Sequence, residues 1–203
     1  MKRVYLLSLA IALFTVACTS KTVQDAKEQT VTENVTQEAP QEVTATDAAY
    51  ETIVIKGEIK SPQKEMRTKI GSKSVTVNYG SPSVNERTVW GNLVPYDAVW
   101  RTGANEATTF ETAVDLKVQG QDLPAGKYGL FTVPTESGDW TVIFNTVSEQ
   151  WGSSAYDKTK DVLRVNATAT MIEEASETME FVMEGNNLVL KWDKLVLPIA
   201  ISL

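Results

Sequence analysis

Beyond Ala49 the hydrophobic positions recur at every second residue in short runs, the period of strands buried on one face. Val75, Val77 and Tyr79 alternate with Thr76 and Asn78, and Val114, Leu116 and Val118 with Asp115 and Lys117. The same spacing groups Trp140, Val142 and Phe144, then Met179, Phe181 and Met183, then Leu188, Leu190 and Trp192, then Leu195, Leu197, Ile199 and Ile201. Turn-forming residues separate these runs at Gly120-Gln121, Pro124-Ala125-Gly126, Ser137-Gly138-Asp139, Gly185-Asn186-Asn187 and Trp192-Asp193-Lys194. No long amphipathic helical pattern competes with them. The pattern predicts one all-β domain over 49–203, an antiparallel two-sheet β-sandwich of jelly-roll-like kind. Two stretches break the rhythm, one from Gly80 to Asn105 and a shorter one from Thr146 to Lys160. Both are longer than hairpin loops, and long ordered loops on a compact β-domain commonly carry function.

The chain before the domain reads differently. Lys2 and Arg3 precede an apolar stretch from Val4 to Leu13, which has the length of a secretory leader rather than of a membrane span. It ends at Thr15-Val16-Ala17-Cys18, which resembles the lipobox of bacterial lipoproteins, with Thr15 where leucine is commonest. That resemblance implies a signal peptide over 1–17, lipidation of Cys18 and attachment to a membrane through it. The alternative is ordinary cleavage after Ala17 with Cys18 a bystander. Residues 18–48 are rich in Thr, Glu and Gln and lack aromatic, Leu, Ile and Met side chains, so they cannot bury enough apolar surface to offset ordering entropy. They are expected to form a disordered tether. The whole arrangement predicts an exported cell-envelope protein displayed from a membrane, the outer membrane first.

Composition narrows the chemistry. Of 203 residues 42% are hydrophobic, with five Trp and five Phe, enough for one sizeable core. Formal charge is −7, and loss of the leader leaves 17 basic against 26 acidic residues. With no basic cluster, nucleic acid is not an expected partner. The chain contains no histidine, which removes Ser-His-Asp triads and the common histidine-containing zinc sites. Its single cysteine removes internal disulfides and a Cys-x-x-Cys pair. No metal is expected, since no Asp-x-Asp-x-Asp-Gly run is present. No cofactor is expected either, because Gly126-Lys127-Tyr128-Gly129 has neither the spacing of a phosphate loop nor a following helix.

Several segments carry a family resemblance. They are Tyr79-Gly80-Ser81-Pro82, Arg87, the run from Gly91 to Tyr96, and the string Val99-Trp100-Arg101-Thr102-Gly103-Ala104-Asn105-Glu106-Ala107-Thr108. Further on come the runs from Leu123 to Pro134, Trp140 to Asn145, Gln150-Trp151-Gly152 and Asp161 to Val165. Together they resemble the family of domains of unknown function DUF2911, over most of the chain after Ser61. The resemblance implies an exported, often lipid-anchored protein and brings no catalytic residues with it.

Candidate site residues therefore come from residue chemistry. Arg87, Arg101, Asn105 and Glu106 crowd one long loop with Trp90, Tyr96 and Trp100, and a guanidinium beside aromatic faces suits a carboxylate or a sugar. The competing role, which weighs more at this stage, is structural: an Arg and a Glu in one loop pair with each other and with loop carbonyls. Trp151 with Tyr156 could form an aromatic platform for a glycan, although a tryptophan is more commonly part of the core. Were the domain an enzyme, carboxylates would be the acid–base groups. Glu106 is then the first catalytic candidate, with Asp97, Glu111, Asp157 or Asp161 as its partner. The leading expectation is a non-catalytic domain binding a small organic acid or glycan, or acting as a scaffold. The alternatives are a carboxylate-dependent glycan hydrolase and a protein-docking structural component of the envelope.

Overall fold

A computed structural model describes residues 50–203; the leader, Cys18 and the tether over 18–48 lie outside the described residues. The strands in chain order are β1 (Tyr50–Lys56), β2 (Gln63–Ile70), β3 (Lys73–Gly80), β4 (Thr109–Thr112), β5 (Leu116–Val118), β6 (Gln121–Leu123), β7 (Gly126–Val133), β8 (Asp139–Asn145), β9 (Asp161–Thr168), β10 (Thr170–Glu184) and β11 (Asn187–Ser202). One 3₁₀ turn, Lys158–Lys160, precedes β9. The strands form a seven-stranded sheet in the order β1-β2-β3-β4-β7-β8-β9 and a four-stranded sheet in the order β10-β11-β5-β6. All pairings are antiparallel. The domain is the expected two-sheet sandwich. Most neighbours in a sheet are also neighbours in sequence, which is what short turns produce. The excursion is the β5–β6 hairpin, which leaves the first sheet and pairs Val118 with Ile201 near the end of β11. Its Gln119-Gly120 turn has positive φ at both residues, 49° and 78°, the conformation that matches the twist of a two-residue hairpin.

The period-two reading places the core. Val75, Val77 and Tyr79 of β3 and Trp140, Val142 and Phe144 of β8 are buried against Phe181, Leu190, Trp192 and Leu197 of the second sheet. Burying each such side chain stabilises the fold by roughly 1.5–3 kcal/mol. Tyr79 stands edge-on to Phe181 at 5.1 Å, and its hydroxyl accepts the Phe181 N–H at 3.3 Å. Burial pushes that phenol's pKa upward.

One predicted turn is absent. Trp192-Asp193-Lys194 lies inside the continuous strand β11 rather than between two strands. Asp193 adopts φ 53°, and the β10–β11 register shifts on both sides of the Ser176↔Asp193 pair. An aspartate tolerates the left-handed region, so this residue kinks a strand without reversing it.

The two long loops cover the outer face of the first sheet. Phe131 of β7 and Ile143 of β8 point away from the main core, yet both are fully buried with Ala107, and Val99, Val133 and Tyr156 pack on them. From the other side, Trp90 and Trp100 of the first loop reach into the main core. Trp90 meets Trp100, Trp140 and Trp192 edge-on at 5.0–5.7 Å, and Trp100 stacks on Trp192 at 6.0 Å. Such aromatic pairs contribute about 0.5–1.5 kcal/mol each beyond their area. Four of the five tryptophans are thus used to fasten this loop.

Candidate functional site

The segment from Trp100 to Thr108 is clamped at both ends onto β7. Trp100 exchanges hydrogen bonds with Thr132 (2.8 and 2.9 Å), and the Thr108 carbonyl accepts the Leu130 N–H at 2.7 Å. Between the clamps the chain bulges outward. The bulge is closed by Thr108 N–H donating to the Arg101 carbonyl (3.1 Å) and by the Thr108 hydroxyl donating to the Thr102 carbonyl (2.8 Å). It is pinned sideways to β3, where Ala104 N–H donates to the Gly80 carbonyl at 3.2 Å. The second long loop is stitched to the same bulge, with Ala107 N–H donating to Gln150 at 2.9 Å and Gly152 N–H to Asn105 at 3.0 Å. The Glu106–Trp151 backbone pairing that results brings the two loops together.

This clamping holds strained backbone. Five of the seven non-glycine residues with positive φ among those described lie in the first loop: Asn85, Glu86, Asp97, Thr102 and Asn105. Thr102, next to Arg101, is the costliest, because a β-branched residue at φ 54° is a true outlier. It is fully buried and shares a hydroxyl contact with Thr132 at 3.2 Å. Strain of about 1–3 kcal/mol persists only where the surroundings over-determine it, and such positions cluster at ligand sites.

Arg101 projects into a cleft of ≈ 440 Å³ whose lining includes Lys60, Arg87, Trp100, Asn105 and Ser153. Three cationic side chains line it and no carboxylate does, in a chain whose net charge is −7. The Arg101 guanidinium is half-buried and makes no hydrogen bond or ion pair among the described residues; its Nε–H is buried without a partner. Burial pushes its pKa down, and no neighbouring carboxylate offsets that shift. An arginine remains charged regardless, so the cleft holds an incompletely solvated cation with unused donors. Its Nη1 lies 4.0 Å from where a Cβ on Gly152 would stand, so the guanidinium rests against the second loop.

The other sequence-predicted residues divide. Arg87 lines the same cleft and is tied down by its own loop, its Nε donating to the Val84 carbonyl at 2.9 Å and its Nη2 to Ser83 at 2.6 Å. Trp100 is 7% exposed and forms the cleft wall from within the core. Asn105 lines both this cleft and an adjoining hollow of ≈ 250 Å³ that contains Glu106 and Trp151. Glu106 does not pair with Arg101, so the expected Arg–Glu ion pair is absent. The core role expected for Trp151 is also overturned: it is 67% exposed, because its loop is held by backbone bonds of its neighbours and nothing described packs over the indole.

Tyr156 is not part of that platform. It packs on Phe131 at 5.2 Å, donates to Asp161 Oδ2 at 2.6 Å and accepts from Arg164 at 2.9 Å, so it fastens the second loop to β9. The carboxylates weighed as partners of Glu106 line none of these clefts. Asp157 caps the 3₁₀ turn, Asp161 accepts from Asn145, Tyr156 and Arg164, and Glu111 lies on β4. Glu149 does share a third hollow with Glu106, but Lys127 pairs with it at 3.3 Å. Sequence reasoning missed Lys60, which the turn between β1 and β2 delivers to the cleft from far upstream of the signature string.

The geometry defines an all-β sandwich with one cationic cleft between two ordered loops. The chain belongs to the family described as Protein of unknown function (DUF2911), whose model matches residues 61–201. No curated protein and no solved structure shows a significant match to it.

Proposed function

We propose that the domain is a non-catalytic binding module whose cleft takes a carboxylate-bearing small molecule through Arg101, with Lys60 and Arg87 adding charge. The observation that carries this reading is the Arg101 guanidinium, which is half-buried and without a partner. A cation so placed costs free energy until an anion supplies what burial removed. Arginine's fork meets a carboxylate with two parallel hydrogen bonds, which lysine cannot reproduce. The two-carboxylate hydrolase finds less support, since Glu106 is the sole acid in the hollow beside Trp151. Cys18 is proposed to anchor the module at the cell envelope by lipidation. Metabolic lipid labelling that persists in Cys18→Ser would contradict that.

Thermal-shift screening of the full chain against lactate, citrate and oligouronates tests the reading. A ligand present at one hundred times its Kd stabilises by about 2.7 kcal/mol, an easily measured rise in Tm. Arg101→Lys is expected to melt close to the parent and to lose the rise. Equal shifts in parent and variant, or no shift with any carboxylate, would contradict the proposal.

A further inference from the structure

The cationic cleft and the hollow beside it are joined: Lys60, Ser61 and Asn105 line both. The joint is tight on the other side too. Gly152, against which the Arg101 guanidinium rests, is the residue after Trp151. Trp151 itself lines the adjoining hollow, which a ligand held by Arg101 reaches past Lys60, Ser61 and Asn105. That indole is the single exposed tryptophan among five, while the other four are spent on the core. Leaving so large an apolar face in water forgoes the stabilisation its burial would bring.

The hollow around the indole is mixed, with Ile59 beside several polar side chains. Lys56, Gln63, Asn105 and Glu106 line it and offer donors and acceptors. A flat aromatic acid would cover the indole and leave those groups desolvated without partners. A saccharide ring has one face of C–H groups for an indole and a rim of hydroxyls for amides and carboxylates. Glu106 can accept a hydroxyl proton and Lys60 and Asn105 can donate to hydroxyl oxygens. Cations line both ends, Lys60, Arg87 and Arg101 in the cleft and Lys56 and Lys60 beside the carboxylate of Glu106 in the hollow. At ≈ 440 Å³ the first cleft alone is within the range of roughly 300–1,000 Å³ that ligand sites occupy.

We propose that the ligand is an acidic saccharide, a uronate whose ring stacks on Trp151 while its carboxylate is taken by Arg101 and Lys60. This rests on the carboxylate-binding reading above and narrows it to a substrate class.

Calorimetric titration of the full chain with trigalacturonate, its fully methyl-esterified form and lactate tests the narrowing. Trigalacturonate is expected to bind at least about ten-fold tighter than lactate and than the ester. In Trp151→Ala its affinity should fall to that of lactate. Trp151 is exposed, so this variant is expected to melt with the parent. If trigalacturonate and lactate bind alike, or Trp151→Ala keeps the advantage, the saccharide is wrong and the carboxylate reading stands. If no carboxylate, the uronate included, binds in an Arg101-dependent way, both are wrong.

Discussion

The position of Arg101 depends on a backbone contact that can be broken with one methyl group. A Cβ added to Gly80 would lie 2.1 Å from the Ala104 carbonyl oxygen, 2.9 Å from its carbon and 3.3 Å from its nitrogen. Every one of these atoms is main chain, so no side chain can swing aside. Relief requires the bulge over 101–107 to lift from β3 by about 1 Å, and the Ala104 N–H bond to Gly80, already 3.2 Å, is the first to be lost. Overpacking of this kind costs about 1–3 kcal/mol, and the lost hydrogen bond adds about 1. Gly80→Ala is therefore expected to destabilise by about 2–4 kcal/mol. The sign is informative, because Gly→Ala in tolerant backbone stabilises by about 0.4–1 kcal/mol through the unfolded chain. Gly57→Ala serves as the control, since its Cβ would meet only the end of the Val54 side chain at 3.3 Å. Urea denaturation measures both, with an unchanged m-value showing that the midpoint alone has moved. Carboxylate affinity should fall in Gly80→Ala, because a lifted bulge carries Arg101 with it. A Gly80→Ala protein as stable as Gly57→Ala would refute the packing argument.

Two further substitutions probe the loops. Arg101→Met leaves no orphaned partner, because the guanidinium has none. Stability by denaturation is therefore expected to be unchanged or up to about 1 kcal/mol higher, discounted for partial exposure, and a loss of about 2 kcal/mol or more would show a structural role. Burial and the Asp161 carboxylate push the Tyr156 phenol up from 10.0 to about 12. The unfolded chain releases that proton first, so Tyr156 contributes its full stability below pH 10 and loses it as pH rises from 10 through about 12. The stability difference between parent and Tyr156→Phe should shrink over that window in alkaline denaturation series, and a constant difference would contradict the assignment.

What could be read from the sequence was what depends on local spacing. The strands β3 and β8 announced themselves because Val75, Val77 and Tyr79, and Trp140, Val142 and Phe144, alternate with residues that do not face the main core. The first half of β10 carries no such signal, being exposed from Thr170 to Glu174. In β2 the inward positions Met66, Thr68 and Ile70 are only weakly apolar as a set, between charged neighbours. Asp193 was misleading because a residue that permits positive φ marks a turn and a strand kink equally well. For the site, Arg101, Asn105 and Glu106 were legible as a polar group in one long loop. Their relations were not, since the Arg101–Glu106 separation and the delivery of Lys60 are set by tertiary backbone bonds. The exposure of Trp151 was hidden for the same reason: burial of a loop aromatic depends on what lies over it, which no local pattern encodes.

A carboxylate received by the partnerless Arg101 guanidinium would be reported by the Nε–H itself. In side-chain ¹⁵N–¹H spectra the Arg101 signal is assigned by its loss in Arg101→Lys. Citrate and trigalacturonate are then titrated to about 10 mM, high enough to detect millimolar binding. Arg67 and Arg164, already paired with Glu65 and Asp161, serve as internal references. A saturable shift of the Arg101 Nε–H is expected with at least one of the two, while both references stay in place. An Arg101 signal that moves no more than theirs with either carboxylate would contradict it.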